Sequence, residues 1–143
     1  KMNEDANLKI FVIDDDTEYL NMIKATLEGR GHSVMTSVSP LFAIHEAASL
    51  RPDCILVDLM MPSIDGAQCC SELRDRRELR DARIVMISGR DPGLWSQKIW
   101  ASGVDGFIPK NITAEKFADE LSDFLSPEII VARDRKNREG YAI

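Results

Sequence analysis

The feature that most constrains this chain is a regular alternation between short apolar runs and longer stretches with helical spacing. "LKIFVI" (8–13), "HSVMTS" (32–37), "DCILVDL" (53–59), "ARIVMIS" (82–88) and "VDGFIP" (104–109) read as strands. Between them lie five helical patterns. "TEYLNMIKATLEGRG" sets Leu20, Ile23 and Leu27 on one face and ends at Gly31, while "PLFAIHEAASL" (40–50) carries Pro in its first turn. "AQCCSELRDRREL" (67–79) has a charged face, and "DPGLWSQKIWAS" (91–102) stops before Gly103. "TAEKFADELSDFL" (113–125) spaces Phe117, Leu121 and Leu125 four apart, with Thr113 at its cap position. Five βα units predict a parallel sheet with helices on both faces. The first, third and fourth strands are apolar without interruption, as strands covered on both sides should be.

A length of 143 residues fits one domain, and a hydrophobic content of 44% is enough for a core. The net charge of −6 argues against a dedicated nucleic-acid surface, which needs clustered Lys and Arg. No apolar run is long enough to span a membrane, and the opening "KMNEDANLK" lacks the apolar stretch of a signal peptide, so a cytoplasmic setting is expected. Cys54, Cys69 and Cys70 fit neither a disulfide framework nor a zinc pattern; small buried residues in a reducing compartment are the plainer reading. Residues 1–7 read as an N-terminal extension and 8–125 as the domain. Residues 126–143 follow the helix-breaking Pro127 and hold four Lys/Arg against three Asp/Glu, and they read as a C-terminal extension, a linker or an extra helix.

The first apolar run ends in three consecutive acids, Asp14, Asp15 and Asp16. Open α/β sheets bind ligands beyond the carboxyl ends of their strands, where strand order reverses. In a sheet of order 2-1-3-4-5 that point lies between strands 1 and 3. Asp14 and Asp15 end strand 1 and Asp58 ends strand 3, so they are expected in one pocket. Ser88, ending strand 4, and Lys110, following strand 5, reach the same rim. Converging carboxylates repel one another and call for a hard cation with oxygen ligands, for which Mg²⁺ fits best. Asp16 or Thr17 falls where the first helix needs an N-cap. A hydroxyl and an ammonium flanking a metal suit a phosphoryl group, and an Asp carboxylate can serve as nucleophile. Asp58 lies between the acid pair and the cationic side.

The elements "VIDDD", "ILVDLMMPSIDG", "VMISG" and "GFIPK", in this order and spacing over Leu8 to Leu125, resemble the receiver domains of two-component response regulators, the CheY-like family. The resemblance implies a flavodoxin-like, doubly wound five-stranded parallel sheet. It implies that Asp58 accepts a phosphoryl group from a histidine kinase or a histidine phosphotransfer protein. Asp15 and Asp58 would ligate Mg²⁺ directly, Asp14 through water and Met60 through its backbone carbonyl. Ser88 and Lys110 would bind phosphoryl oxygens, Gly89 would leave room for the incoming group, and Pro62 and Gly66 would shape the loop after Asp58. Ser88 and Phe107 would form the switch that alters the face made by the fourth helix, fifth strand and fifth helix. That face would serve a homodimer, a partner or an output domain, and the only chemistry would be self-phosphorylation and autodephosphorylation. One departure is plain: receivers usually place Pro after the lysine, whereas here Asn111 follows Lys110 and Pro109 precedes it, so the usual cis-proline turn is not expected.

Each acid taken alone reads as a turn former or cap, Ser88 alone as a cap and Lys110 alone as a surface lysine. The five together make those readings remote. A HAD-like phosphatase also uses an aspartate nucleophile after its first strand, but its "hhhhDxDxT" pattern fails from either Asp14 or Asp15, and no cap segment is evident. A flavodoxin-like FMN site needs a hydroxyl-rich phosphate loop where this chain has "DDDTEY". A degenerate receiver acting only as an interaction module would not need the full acid, hydroxyl and lysine set.

Overall fold

The computed structural model describes residues 7–89, 93 and 96–125. Strands β1 (Lys9–Ile13), β2 (Ser33–Ser37), β3 (Cys54–Asp58), β4 (Arg83–Ser88) and β5 (Gly106–Pro109) alternate with helices α1 (Thr17–Gly29), α2 (Pro40–Leu50), α3 (Gly66–Arg74), α4 (Ser96–Ala101) and α5 (Ala114–Phe124). All strand pairs are parallel, in the order β2-β1-β3-β4-β5. The expected doubly wound sheet is therefore present, and its order reverses between β1 and β3.

The two-residue period of a strand divides the core into two layers. Ile10, Val12, Cys54, Leu56, Val85, Ile87 and Ile108 point to the side covered by α1 and α5, where Leu20, Ile23, Leu27, Phe117 and Leu121 meet them. Phe11, Ile13, Ile55, Val57, Ile84 and Met86 point to the opposite side, against Ala43, Ile44, Ala47, Cys69, Cys70, Leu73 and Ile99. Every residue of β3 and β4 is buried. Both core layers stop at the carboxyl ends of the strands, and the polar residues that follow are left at that edge.

The third helix differs from its expected span of 67–79. It ends at Arg74, and a 3₁₀ turn follows at Arg77–Leu79. Leu73 and Leu79 are both fully buried. Six residues along an unbroken α-helix rotate the chain by roughly 240°, which would turn Leu79 away from the sheet. The Arg74 guanidinium holds the break by donating to the carbonyls of Leu79, Ala82 and Gly103 and to the Asp105 carboxylate. In the fourth helical pattern, Ser96–Ala101 is helical; residues 90–92, 94 and 95 lie outside the described residues, as do 1–6 and the proposed extension 126–143. No helix among the described residues is long and apolar enough to cross a membrane.

Candidate functional site

Parallel pairing brings the strand ends into register. Ile13 lies beside Val57, Asp58 beside Ile87, and Ser88 beside Pro109. The residues just beyond these pairs line an open crevice of about 430 Å³: Asp14, Asp15, Asp16, Asp58, Met60, Ser88, Gly89 and Lys110. All the metal and phosphoryl candidates expected from sequence are thus brought together. Phe107 sits half-buried on β5, three residues before Lys110, packed against the core layer under α2 and α3.

Backbone bonds fix the rim. The Asp14 N–H donates to the Ser37 carbonyl, the Leu59 N–H to Ile87 and the Lys110 N–H to Ser88. Asp16 divides from its neighbours as its position suggested. It is the N-cap of α1 and accepts from the Tyr19 N–H at 3.1 Å, while its own N–H donates to Asp14 Oδ1 at 2.9 Å. Gly66 shapes the loop after Asp58: its N–H donates to the Leu59 carbonyl, and a Cβ there would collide with the Asp58 carbonyl and Met86 Sδ. A Cβ on Gly89 would meet nothing, so the crevice is open on that side. No peptide bond among the described residues is cis, in keeping with the displaced proline of "PKN".

The electrostatics follow from crowding. Asp14, Asp15 and Asp58 each offer a carboxylate oxygen, and these atoms lie within 4.8 Å of one another. Asp14 and Asp58 are buried, whereas Asp15 is exposed. The Lys110 ammonium answers them, with Nζ 2.7 Å from Asp14 Oδ2 and 3.6 Å from Asp58 Oδ1. Burial pushes the Asp58 carboxyl up to about 7, with repulsion from Asp14 and Asp15 adding to the effect. Lys110 and the Met60 N–H pull the other way. Burial works against the charge on Lys110, yet the hydrogen bond to Asp14 and the charge of Asp58 hold its pKa above the ordinary lysine value.

A three-carboxylate cluster of this size has the donor chemistry for a hard divalent cation such as Mg²⁺. The residues fit one: two acids are buried with a single ammonium between them, and the third reaches out from the exposed side.

One participant was not singled out from the sequence. Tyr19, in the first turn of α1, lies under Lys110, with Nζ 4.4 Å from the ring centroid. No motif marks it, because its partner is 91 positions along the chain and only the sheet order brings the two together.

The fold and crevice define a flavodoxin-like α/β protein with an acidic, cation-type site at its switch point. The chain belongs to the response regulator receiver domain family, whose model matches residues 10–122. Among similar sequences are the response regulators MprA of Mycobacterium avium (strain 104), 30% identical over 118 residues, and of Mycobacterium tuberculosis (strain H37Rv), 30% identical over 119. These alignments cover 82% and 83% of this chain and 51% of each relative, so the chain spans about half the length of the curated relatives it matches. The chemotaxis protein CheY4 of Vibrio cholerae shares the fold with a TM-score of 0.78 at 24% identity, over 82% of this chain and 98% of that one. The response regulator DrrB, a Thermotoga maritima OmpR/PhoB homolog, does so with a TM-score of 0.73 at 20% identity, over 85% of this chain and 54% of DrrB. The chain is therefore a receiver domain of two-component signalling, and the family match does not favour the HAD-like phosphatase alternative.

Proposed function

We propose that Asp58 is the phosphoacceptor, and that Asp14, Asp15, Asp58 and the Met60 carbonyl hold Mg²⁺, Asp14 doing so through water. The observation that carries this reading is the convergence of three carboxylates within 4.8 Å of one another around one ammonium, at the switch point of the sheet. When bound, the cation screens negative charge between the carboxylates and an incoming phosphoryl group.

The chain's own residues do the rest. An Asp58 oxygen attacks phosphorus in line; the P–O bond forms as the P–N bond to the donor histidine breaks, and the imidazole leaves neutral, keeping the proton already carried on its other ring nitrogen. Only the ionised carboxylate is nucleophilic. Lys110 and the Met60 N–H favour that form against the burial that opposes it. Ser88 donates to one phosphoryl oxygen and Lys110 to another, positions both can serve because they follow neighbouring strand ends. Gly89 leaves room for the group. Movement of Ser88 toward the phosphoryl group lets Phe107, half-buried in the resting state, pack inward and alter the face made by α4, β5 and α5. Later attack by water on phosphorus releases phosphate and restores Asp58.

The donor is a histidine kinase or histidine phosphotransfer protein, and the setting is cytoplasmic. The α4–β5–α5 face then controls a second copy or an output domain; the chain spans about half the length of MprA and DrrB. In this reading the receiver occupies residues 8–125, with 126–143 as a linker or extra helix.

The test is direct. Incubation with Mg²⁺ and acetyl phosphate adds one phosphate by intact mass, and Asp58→Asn does not label. Equal labelling of Asp58→Asn removes Asp58 from the role.

A further inference from the structure

We infer that Tyr19 is a positioning residue for phosphoryl transfer: its ring face is the platform on which the Lys110 ammonium moves between Asp14 and the group forming on Asp58. This rests on the phosphoacceptor reading and adds a residue to it.

The geometry is specific. Among the described residues, Lys110 Nζ has three close attractors: Asp14 Oδ2 at 2.7 Å, Asp58 Oδ1 at 3.6 Å and the Tyr19 ring centroid at 4.4 Å. An ammonium at that height is held by the negative face of the ring. The ring is itself fixed from two directions. Its backbone N–H is tied to the capping carboxylate of Asp16. Its side chain meets Phe117 of α5 edge-on, with centroids 6.4 Å apart and planes at 83°. Tyr19 thus joins the rim of the crevice to the core layer under α1 and α5.

Charge separates the role of the ring from that of the acids. In the cation-free protein, the carboxylates of Asp14 and Asp58 hold most of the Lys110 charge. Once a second positive charge shares the crevice, the carboxylates divide their attraction between the two cations, and the cations repel each other. A neutral ring is not neutralised in this way. It keeps the ammonium over the crevice when the acids hold it least, which is when a phosphoryl oxygen must be met.

The phenol group itself has no part in this. Its oxygen is buried and makes no hydrogen bond to the described protein. Burial, then the charges of Asp14 and Asp58, drive its pKa upward, so it stays neutral. The face of the ring carries the function, and the hydroxyl is dispensable.

The test is a graded one. Tyr19 is replaced by Phe and then by mono-, di- and trifluorinated Phe, which keep the ring's shape while draining its negative face. Phe is expected to label from acetyl phosphate within about twofold of the parent, and the rate to fall steadily with fluorine number, by about three- to thirtyfold in all. In the cation-free protein, the low-frequency ring-current shift of the Lys110 ε-methylene protons is expected in the parent and in Tyr19→Phe, and to be lost in Tyr19→Leu. A purely structural ring would give rates that follow stability rather than fluorine number, with stability measured by urea unfolding of the same variants. If the parent labels and Asp58→Asn does not, but the rate is flat across the series or the ring-current shift is absent, the role of Tyr19 is refuted and the phosphoacceptor stands. If Asp58→Asn labels like the parent, the phosphoacceptor reading itself fails.

Discussion

Replacing Asp58 by Asn in the cation-free protein is expected to stabilise the fold at alkaline pH and to change little in acid. Asp58 sits in a buried position beside Asp14, and its carboxyl is raised from an ordinary 3.8 to about 7. Between those values the folded chain keeps a proton that the unfolded chain has lost, so stability falls as pH rises through the window. The penalty is absent below the unfolded value and complete above the folded one. Asn resembles the protonated acid and never incurs it. Each tenfold change in acidity corresponds to about 1.4 kcal/mol, which sets a ceiling of roughly 4 kcal/mol on the gain. Solvent in the open crevice screens the interaction and lowers the expected figure to about 1–3 kcal/mol. Urea unfolding of both proteins in EDTA, at about pH 4.5, pH 6 and pH 8, reads the difference, which should open steadily with pH. A difference that does not vary with pH would refute the reasoning, and so would an Asn variant less stable than the parent at pH 8.

Asp15→Asn is expected to lose most of the rise in melting temperature that Mg²⁺ gives the parent, because the exposed acid closes the trio from the solvent side; a full Mg²⁺ shift in the variant removes Asp15 from the ligand set. Trp100 is 55% exposed on α4, and Trp100→Ala is expected to weaken self-association or output binding by about tenfold without slowing labelling of Asp58. Sedimentation and intact mass check the two arms, and a large loss of stability with unchanged association refutes the interface role. Arg74→Met is expected to cost about 2–3 kcal/mol in urea unfolding, since the guanidinium serves Leu79, Ala82, Gly103 and Asp105 at once; a cost under about 0.5 kcal/mol, the surface norm, shows that the bend after α3 holds without it.

The sheet was legible because its signal is repeated. Five apolar runs, each followed by a helical period, leave few ways to bury both faces of a strand such as "CILVD", and all five of its residues are buried. The crevice was legible because strand ends are the most reliably placed points of such a fold: Asp14, Asp58, Ser88 and Lys110 each follow an apolar run directly, and Asp15 comes next after Asp14. What periodicity could not show was the break after Arg74. "AQCCSELRDRREL" carries helix-favouring residues to its end, and it is the demand that Leu79 as well as Leu73 face the sheet that stops the helix. The guanidinium that holds the bend looks from sequence like one more charge in a solvated run. Tyr19 was hidden for a related reason. Its hydroxyl attracts notice as a polar group, yet the part that matters is a ring face, whose partner is set by topology.

The same edge of the sheet carries the cost and the use of these charges. Asp14 is wholly buried and would be untenable there without the Lys110 ammonium 2.7 Å away. In the resting protein Lys110 therefore acts as an internal cation for the acid cluster. The same lysine is the proposed partner of a phosphoryl oxygen on Asp58, so it cannot keep its full bond to Asp14 after transfer. A divalent cation held by Asp14, Asp15 and Asp58 would relieve that conflict by compensating the charge of Asp14. On the proposed reading, transfer to Asp58 without a cation would leave Asp14 buried and uncompensated as Lys110 turned away. Cation dependence would then follow in part from the position of one lysine, shared between a buried acid and the proposed phosphoacceptor, and would not rest only on a cation's attraction for the incoming group.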